Sequence, residues 1–406
     1  MMAPSLPPPA GRLASRAPAA LRGLRTRSDL QPLWAAVRAV RDELPALAAE
    51  LCEVPAPTFQ EDERAKIFAA KLSDAVGGPV ERDETGNRWA ELKGVRSGPR
   101  MLVAAHLDTV FPPMTDCRVR RESGRWFGPG LGDNCAGLAV LLVGARLLRA
   151  AGCPFSGALV LAGNVCEEGL GDLRGMRALC DRFGGTLDGV LALDGSLGSV
   201  ACAGVGSYRY RIGVRGPGGH SWSDFGRPSA VHQLARVAAV LTQLSVPVEP
   251  RTTYNIGTMS GGTSVNSIAA EAELLLDLRS VDQAALEALD REARARVECV
   301  AVPDGLALQM TRVGERPAGD ARWTRDWVDI VRAVAAELSV TPQFVAMSSD
   351  ANIPMARAIR ATALGIRRGG ETHTKAEWVD PGSLVVGLEV FLLTLLAAME
   401  LFPDDS

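Results

Sequence analysis

Polar segments placed at the ends of apolar, strand-like runs constrain this chain more than any other feature. His106-Leu107-Asp108 follows the run 101–105, Glu167-Glu168 follows 158–166, and Asp194 closes 190–193. A third polar cluster, Gly132-Asp133-Asn134, stands just ahead of an apolar stretch. In open parallel sheets ligands bind outside the carboxyl ends of the strands, so side chains far apart in sequence can converge there. A histidine and several carboxylates in one crevice describe a metal site. Late in the chain, Gly369-Gly370-Glu371-Thr372-His373 offers a second of the chain's four histidines in a glycine-rich loop.

Strands and helices alternate around these segments. Residues 29–53 carry helical apolar spacing, Pro55 and Pro57 interrupt it, and Thr58 with Glu61 forms a capping-box signature for the next helix. Residues 79–93 read as a hairpin through Thr85-Gly86-Asn87. After strand 101–105, Asp133 or Asn134 can cap a helix over 135–150, and strand, helix and strand repeat through 158–166, 173–183 and 190–194. This is the pattern of a doubly wound α/β domain with a mostly parallel sheet. Past Gly206 the pattern changes to strand 207–215, helix 228–244, strands 254–260 and 271–279, helix 283–297 and strand 306–313. That order is the split βαβ, ferredoxin-like α+β unit, and inserted here it would form a lid. Beyond Pro317, helix 323–339 and strand 361–366 return the chain to the first domain. The expected organisation is a disordered tail at 1–28, a first domain in two parts at 29–205 and 317–406, and a lid at 206–316.

Composition narrows the partners. The 406 residues exceed one average domain and 47% are hydrophobic, enough to bury two cores. The net charge is −3 and both signs are interspersed after residue 28, which leaves neither a nucleic-acid footprint nor a polybasic membrane stripe. A small molecule or peptide fits better. Eight cysteines scatter from Cys52 to Cys299 without C-x-x-C pairs, which points to reduced thiols and a cytoplasmic location. Cys135 and Cys166 adjoin the polar segments but read as small core residues. No apolar stretch is expected to span a membrane, since 384–401 is interrupted by Glu389 and Glu400 and reads as a buried terminal helix. Residues 1–28 hold five arginines, several prolines and no acidic residue. That permits a transit-type leader or a disordered extension, and the extension is expected.

Each polar residue also has a plainer reading. His106 could be a satisfied core histidine, Asp108 a turn residue, Asp133 a helix cap and Glu167-Glu168 a solvated acidic pair. Together they say more. Residues i and i+2 of an extended segment share a face, so Asp108 can hold the second nitrogen of a His106 imidazole bound to metal. Adjacent carboxylates directly after an apolar strand are costly unless a cation lies beside them.

The strings HLDTVFP (106–112), GDNCAG (132–137), NVCEEG (164–169), LALDG (191–195), GGHSW (218–222), GTSVNSIAAEAELLLDLRS (262–280) and GGETHTKAEW (369–378) occur in a telling order. As a set they resemble metallopeptidase family twenty, which includes aminoacylases, carboxypeptidase G, peptidase T and succinyl-diaminopimelate desuccinylase. The resemblance covers roughly residues 30–400. It implies two divalent ions, usually Zn2+, with Co2+ or Mn2+ as alternatives. His106, Asp133 and Asp194 match the ligands of one ion, and Glu168 and His373 those of the second, with Asp133 bridging. Glu167 matches the general base, which would take a proton from a metal-bridging hydroxide's parent water and pass it to the leaving amine. His220 matches a lid histidine that stabilises the oxyanion, and Asn266 and Arg279 match lid positions that bind substrate polar groups and a carboxylate.

Alternatives stay open at this point. Gly218-Gly219-His220-Ser221 also reads as an ordinary turn, and Arg279 as a surface ion-pair residue. Trp222 and Phe225 either offer an apolar contact to substrate or pack the lid core, and core packing is expected. His232 reads as structural or exposed, and 349–352 as polar support. Aspartate at 194 leans the resemblance toward peptides or N-acyl amino acids. The expected activity is hydrolysis of a peptide or amide C–N bond in a small carboxylate-bearing substrate, in a homodimer formed through the lid. N-acyl-amino-acid deacylation and a non-catalytic metal-binding paralogue are the alternatives.

Overall fold

The computed structural model describes residues 8–402. Its chain divides into two compact units, of which the second is Val205–Gly319, inserted between the two parts of the first.

The first unit is built on an eight-stranded sheet. In spatial order its strands are Glu81–Arg82, Arg88–Lys93, Ser156–Asn164, Arg96–His106, Gly189–Leu193, Ala361–Leu364, Ser199–Gly204 and Gln343–Met347. Ser156–Asn164, Arg96–His106, Gly189–Leu193 and Ala361–Leu364 run parallel, as do the last two strands to each other, while the sheet's first two strands pair antiparallel. Alternate residues of Arg96–His106 enter different cores: Met101, Val103 and Ala105 face one, Leu102 and Ala104 the other. Both faces are covered, which is why this strand reads as an unbroken apolar run.

The helix Ala136–Ala150 is almost wholly buried. A Cβ at Gly137 would lie 2.1 Å from Asn134 Oδ1 and 2.6 Å from the Leu193 carbonyl, so only glycine lets the helix start this close to the strand Gly189–Leu193. This helix, measured over Leu131–Ala150, and Ser383–Leu401 are each long and apolar enough to cross a membrane by length and composition, contrary to the expectation of none. Both are mostly buried in the protein. Glu389 and Glu400, expected to mark the terminal helix as non-spanning, instead meet Arg25 at 2.6 Å and Arg27 at 2.9 Å.

Those arginines belong to the segment expected to be a disordered tail, and from residue 8 onward that expectation is wrong. Ala17–Thr26 is a helix that packs on Ser383–Leu401 and on the helix Arg325–Glu337. Leu13, Ala17, Leu21 and Leu24 are all buried. They repeat every three or four residues, a helical stripe that the prolines and arginines concealed. Residues 1–7 of the proposed tail lie outside the described residues.

Two further expectations fail for local reasons. Residues 29–53 form separate helices, Gln31–Ala39 and Glu43–Cys52. Pro45 sits in the first turn of the second, and its ring would clash with the carbonyl of residue 41 in a continuous helix. The capping box does not form: Glu61 is the N-cap of Asp62–Val76 without a side-chain cap bond, and Thr58 donates instead to Asp108 at 3.0 Å.

In the second unit, the antiparallel sheet order is Thr252–Gly261, Glu271–Ser280, Gly206–Arg215 and Ala307–Arg316. Helices Ala230–Leu241 and Gln283–Glu298 pack on one face, over Tyr208, Ile212, Leu274, Leu276 and Leu278. This strand order, with two strand-helix-strand passages, is the ferredoxin-like arrangement. On the other face Arg211 meets Glu273 at 3.2 Å and Arg215 meets Glu271 at 3.5 Å, cross-strand pairs that keep it polar.

Candidate metal centre

His106 ends its strand fully enclosed by the protein. Its Nε2 lies 3.0 Å from Asp133 Oδ1, and its Nδ1 lies 3.0 Å from the main-chain oxygen of Asp108. The Asp108 carboxylate is farther from that ring, at 3.6 Å. Its chief partners are elsewhere: it accepts from the backbone N–H of Glu167 at 2.9 Å, from that of Glu168 at 2.8 Å, and from the Thr58 hydroxyl. Asp108 therefore orients His106 mainly through its carbonyl and spends its charge on the next loop.

That loop is held along its whole length. Val165 donates its N–H to Asn87 Oδ1 at 3.0 Å and Cys166 donates to Glu61 Oε1 at 3.1 Å, ahead of the two bonds to Asp108. Four successive amides are thus taken by side-chain oxygens rather than by a strand or helix. Cys166 adopts φ 57°, and the turn sets Glu167 and Glu168 in buried positions. Glu167 and Glu168 each place a carboxylate oxygen within 4.8 Å of a His106 nitrogen and of each other.

Asp194 follows the strand Gly189–Leu193, and one of its oxygens, one of Asp133 and a His106 nitrogen lie within 4.8 Å of one another. A second trio, Asp133, Glu168 and His373, meets the same limit. His373 Nε2 is 2.9 Å from Glu168 Oε1 and 3.2 Å from Asp133 Oδ2, so the two oxygens of Asp133 face different histidines. His373 sits at φ 67° on its glycine-rich loop with its side chain half exposed. Asp133, read as a possible helix cap, makes no such cap; Ala136–Ala150 begins beyond it.

The charges in this cluster are out of balance. Burial, with the Asp133 charge next in weight, pushes the Asp194 carboxyl up to about 7. Hydrogen bonds that the His373 ring donates to the Asp133 and Glu168 carboxylates raise its pKa to about 10. Burial alone would lower His106, but its bonds to Asp108 and Asp133 outweigh that and raise it. A carboxyl pushed up to about 7 beside two imidazoles that are also pushed up marks a place deficient in positive charge. Imidazole nitrogens and carboxylate oxygens are suitable donors for a divalent cation, and two trios sharing one carboxylate fit a pair of them.

Two residues outside the anticipated set join the site. Glu377 is completely buried and accepts the N–H groups of Gly130, Gly132 and Asp133 at 3.0, 2.9 and 2.8 Å. Burial, then the Asp133 charge, raises it to about 7. Arg367, buried three residues beyond the strand Ala361–Leu364, lies near the same loop. Glu377 is the penultimate residue of the GGETHTKAEW string, and Arg367 lies two residues ahead of its first glycine. Only a fold that brings 128–133 against 367–377 reveals either.

His220, Asn266 and Arg279 belong to the second unit. His220 is exposed on a two-residue strand, Gly219–His220, paired with Ser267–Ile268, and Asp224 accepts its N–H at 2.8 Å. Asn266 accepts from Ser221 through its main-chain oxygen at 3.0 Å, which makes it a neighbour of His220. Arg279 donates to Asp277 at 2.6 Å, so in this structure it is an ion-pair residue. Trp222 and Phe225 do not pack the core as expected. They are 87% and 91% exposed, on the same loop as His220. His232 is exposed on its helix.

Comparison with known proteins matches this architecture. The chain is 26% identical over 363 residues to an uncharacterised protein, YqjE, of Bacillus subtilis, covering 84% of this chain and 94% of the relative. Aminopeptidase PepT from Bacillus cereus superposes with a TM-score of 0.69 at 24% identity, over 89% of this chain and 99% of its own. The dipeptidase Dug1p of Saccharomyces cerevisiae superposes with a TM-score of 0.72 at 15% identity, over 91% and 98%. The model of Peptidase family M20/M25/M40 matches residues 102–397, a span that begins in the strand bearing His106 and ends within the terminal helix. On that match the chain belongs to Peptidase family M20/M25/M40 and is a hydrolase of that family.

Proposed function

We propose that the protein hydrolyses a peptide bond, as an exopeptidase on small peptides with a free carboxylate, using two divalent cations, most simply Zn2+. The observation that carries this reading is the shared carboxylate: Asp133 belongs to two of the three trios, one with His106 and Asp194 and one with Glu168 and His373. His106, Asp133 and Asp194 would hold one ion, and Asp133, Glu168 and His373 the other. Sharing one anion screens the repulsion between two nearby cations. Such a pair, when bound, supplies Lewis acidity that polarises the scissile carbonyl and makes water acidic near neutral pH.

The remaining chemistry belongs to the chain. Glu167 takes the proton of the attacking water and hands it to the departing nitrogen, as a buried carboxylate beside the ligands can. Asp108 is a positioning residue, fixing both the His106 ring and the backbone of Glu167 and Glu168. In the proposed lid, His220 donates to the oxyanion, and Asn266 and Arg279 receive the substrate's polar groups and carboxylate, Arg279 leaving Asp277 to do so. The exposed Trp222 and Phe225 support a lid that meets another surface, and we assign that lid to a homodimer contact. The eight free cysteines support a reducing compartment, the cytoplasm.

The test is a panel of di- and tripeptides and N-acetylated amino acids, assayed with added zinc, cobalt or manganese. Cleavage of peptides supports the reading. Cleavage of the acylated amino acids alone turns it into a deacylase, and purified protein that takes up no divalent ion refutes it.

A further inference from the structure

Glu377 and Arg367 lie behind the cluster rather than in it, and each is odd by itself. Glu377 adds one more buried negative charge to a place already crowded with carboxylates, yet it accepts three backbone N–H groups of the loop that carries Asp133. Arg367 is a buried guanidinium whose Nε–H has no hydrogen-bond partner among the described residues, and its Nη2 reaches only Thr372 Oγ1, at 3.5 Å. A buried cation so poorly bonded is hard to explain as structural support.

Gly132 links them. A Cβ built there would lie 2.6 Å from Arg367 Nε and 2.8 Å from Glu377 Oε1, so both groups crowd the same Cα, one residue before Asp133. Any side chain at 132 would displace one or both.

We propose that Glu377 and Arg367 form a charge-balanced brace that positions Asp133 and sets how tightly the centre holds its cations. Glu377 supplies the acceptor oxygens that hold the Asp133 loop. Arg367 cancels the charge this brings, so the centre keeps its geometry without becoming a deeper cation trap. Neither residue touches the reacting atoms; both are positioning residues. The inference rests on the two-cation reading above.

The two charges have opposite signs, so their removal must move cation affinity in opposite directions, which a merely structural role would not do. The experiment titrates metal-free full-length protein with Zn2+ and Co2+ against a chromophoric chelator. Glu377→Gln should weaken binding and Arg367→Met should tighten it, each by about tenfold or more for a unit charge at this range in a buried site. Arg367→Lys, which retains the charge, should stay near wild type, and the double variant should fall between the two single ones. If Arg367→Met does not fold, as judged by thermal unfolding, Arg367→Gln takes its place. Weaker or unchanged binding in the neutral Arg367 variant overturns the brace, as does unchanged binding in Glu377→Gln. A wild-type protein that binds no divalent ion overturns the proposed function, and the brace with it.

Discussion

In the first unit, the loop 165–168 gives its four backbone N–H groups to Asn87, Glu61 and Asp108, side chains reaching in from three other places in the chain. In the second unit, the loop bearing His220 is held by Asp224 and Asn266 from nearby and leaves Trp222 and Phe225 in solvent. The first arrangement fixes its groups before any ligand arrives, since moving them would strand buried donors. The second has few buried contacts to resist displacement. Preorganisation belongs to the cluster, and adaptability to the His220 loop.

That contrast can be broken by substitution. Glu167→Gln should produce the largest loss, a fall in turnover of roughly a thousandfold or more with metal content unchanged. Retained turnover in that variant would show that the most rigid part of the cluster does no proton transfer. Asp108→Ala should rank next. It strands two buried amides and a hydroxyl at once, costing about 3 kcal/mol or more in denaturant unfolding and lowering metal uptake. A variant that unfolds like wild type would mean the loop holds itself. Leu21→Ala, in the N-terminal helix, should cost about 2 to 4 kcal/mol if that helix is as much part of the first unit as its burial indicates. Smallest of all, Trp222→Ala and Phe225→Ala should each shift unfolding by no more than about 0.5 kcal/mol while altering substrate KM or the monomer–dimer balance. A large loss of stability there would make the His220 loop as rigid as the cluster and erase the contrast.

Much of the cluster could be read in one dimension because of where parallel strands end. His106 and Asp194 close apolar strands and Glu167-Glu168 follows one, and a sheet covered on both faces allows polar groups only at such exits. The alternation of polar and apolar residues in 271–280 likewise announced a sheet with one covered face. Local signals misled where a residue had a distant use. Thr58 and Glu61 have capping-box spacing, yet Thr58 serves Asp108 and Glu61 serves Cys166. The strand Ser199–Gly204 went unread because its small residues, Ala, Cys and Gly, carry no periodicity that marks a strand.

The order of apolar runs and their two periods were enough to determine a layered α/β unit and an inserted ferredoxin-like unit, because burial imposes those patterns on any sequence that folds this way, while the ligand set came from the family resemblance of the ordered strings. Tertiary structure decided the rest. The N-terminal helix packs on Ser383–Leu401 and Arg325–Glu337, two glutamates of the former meet Arg25 and Arg27, and Glu377 and Arg367 come together at Gly132. Such interactions depend on distance in space, and residues 245 apart, as Gly132 and Glu377 are, leave no periodic trace of their meeting.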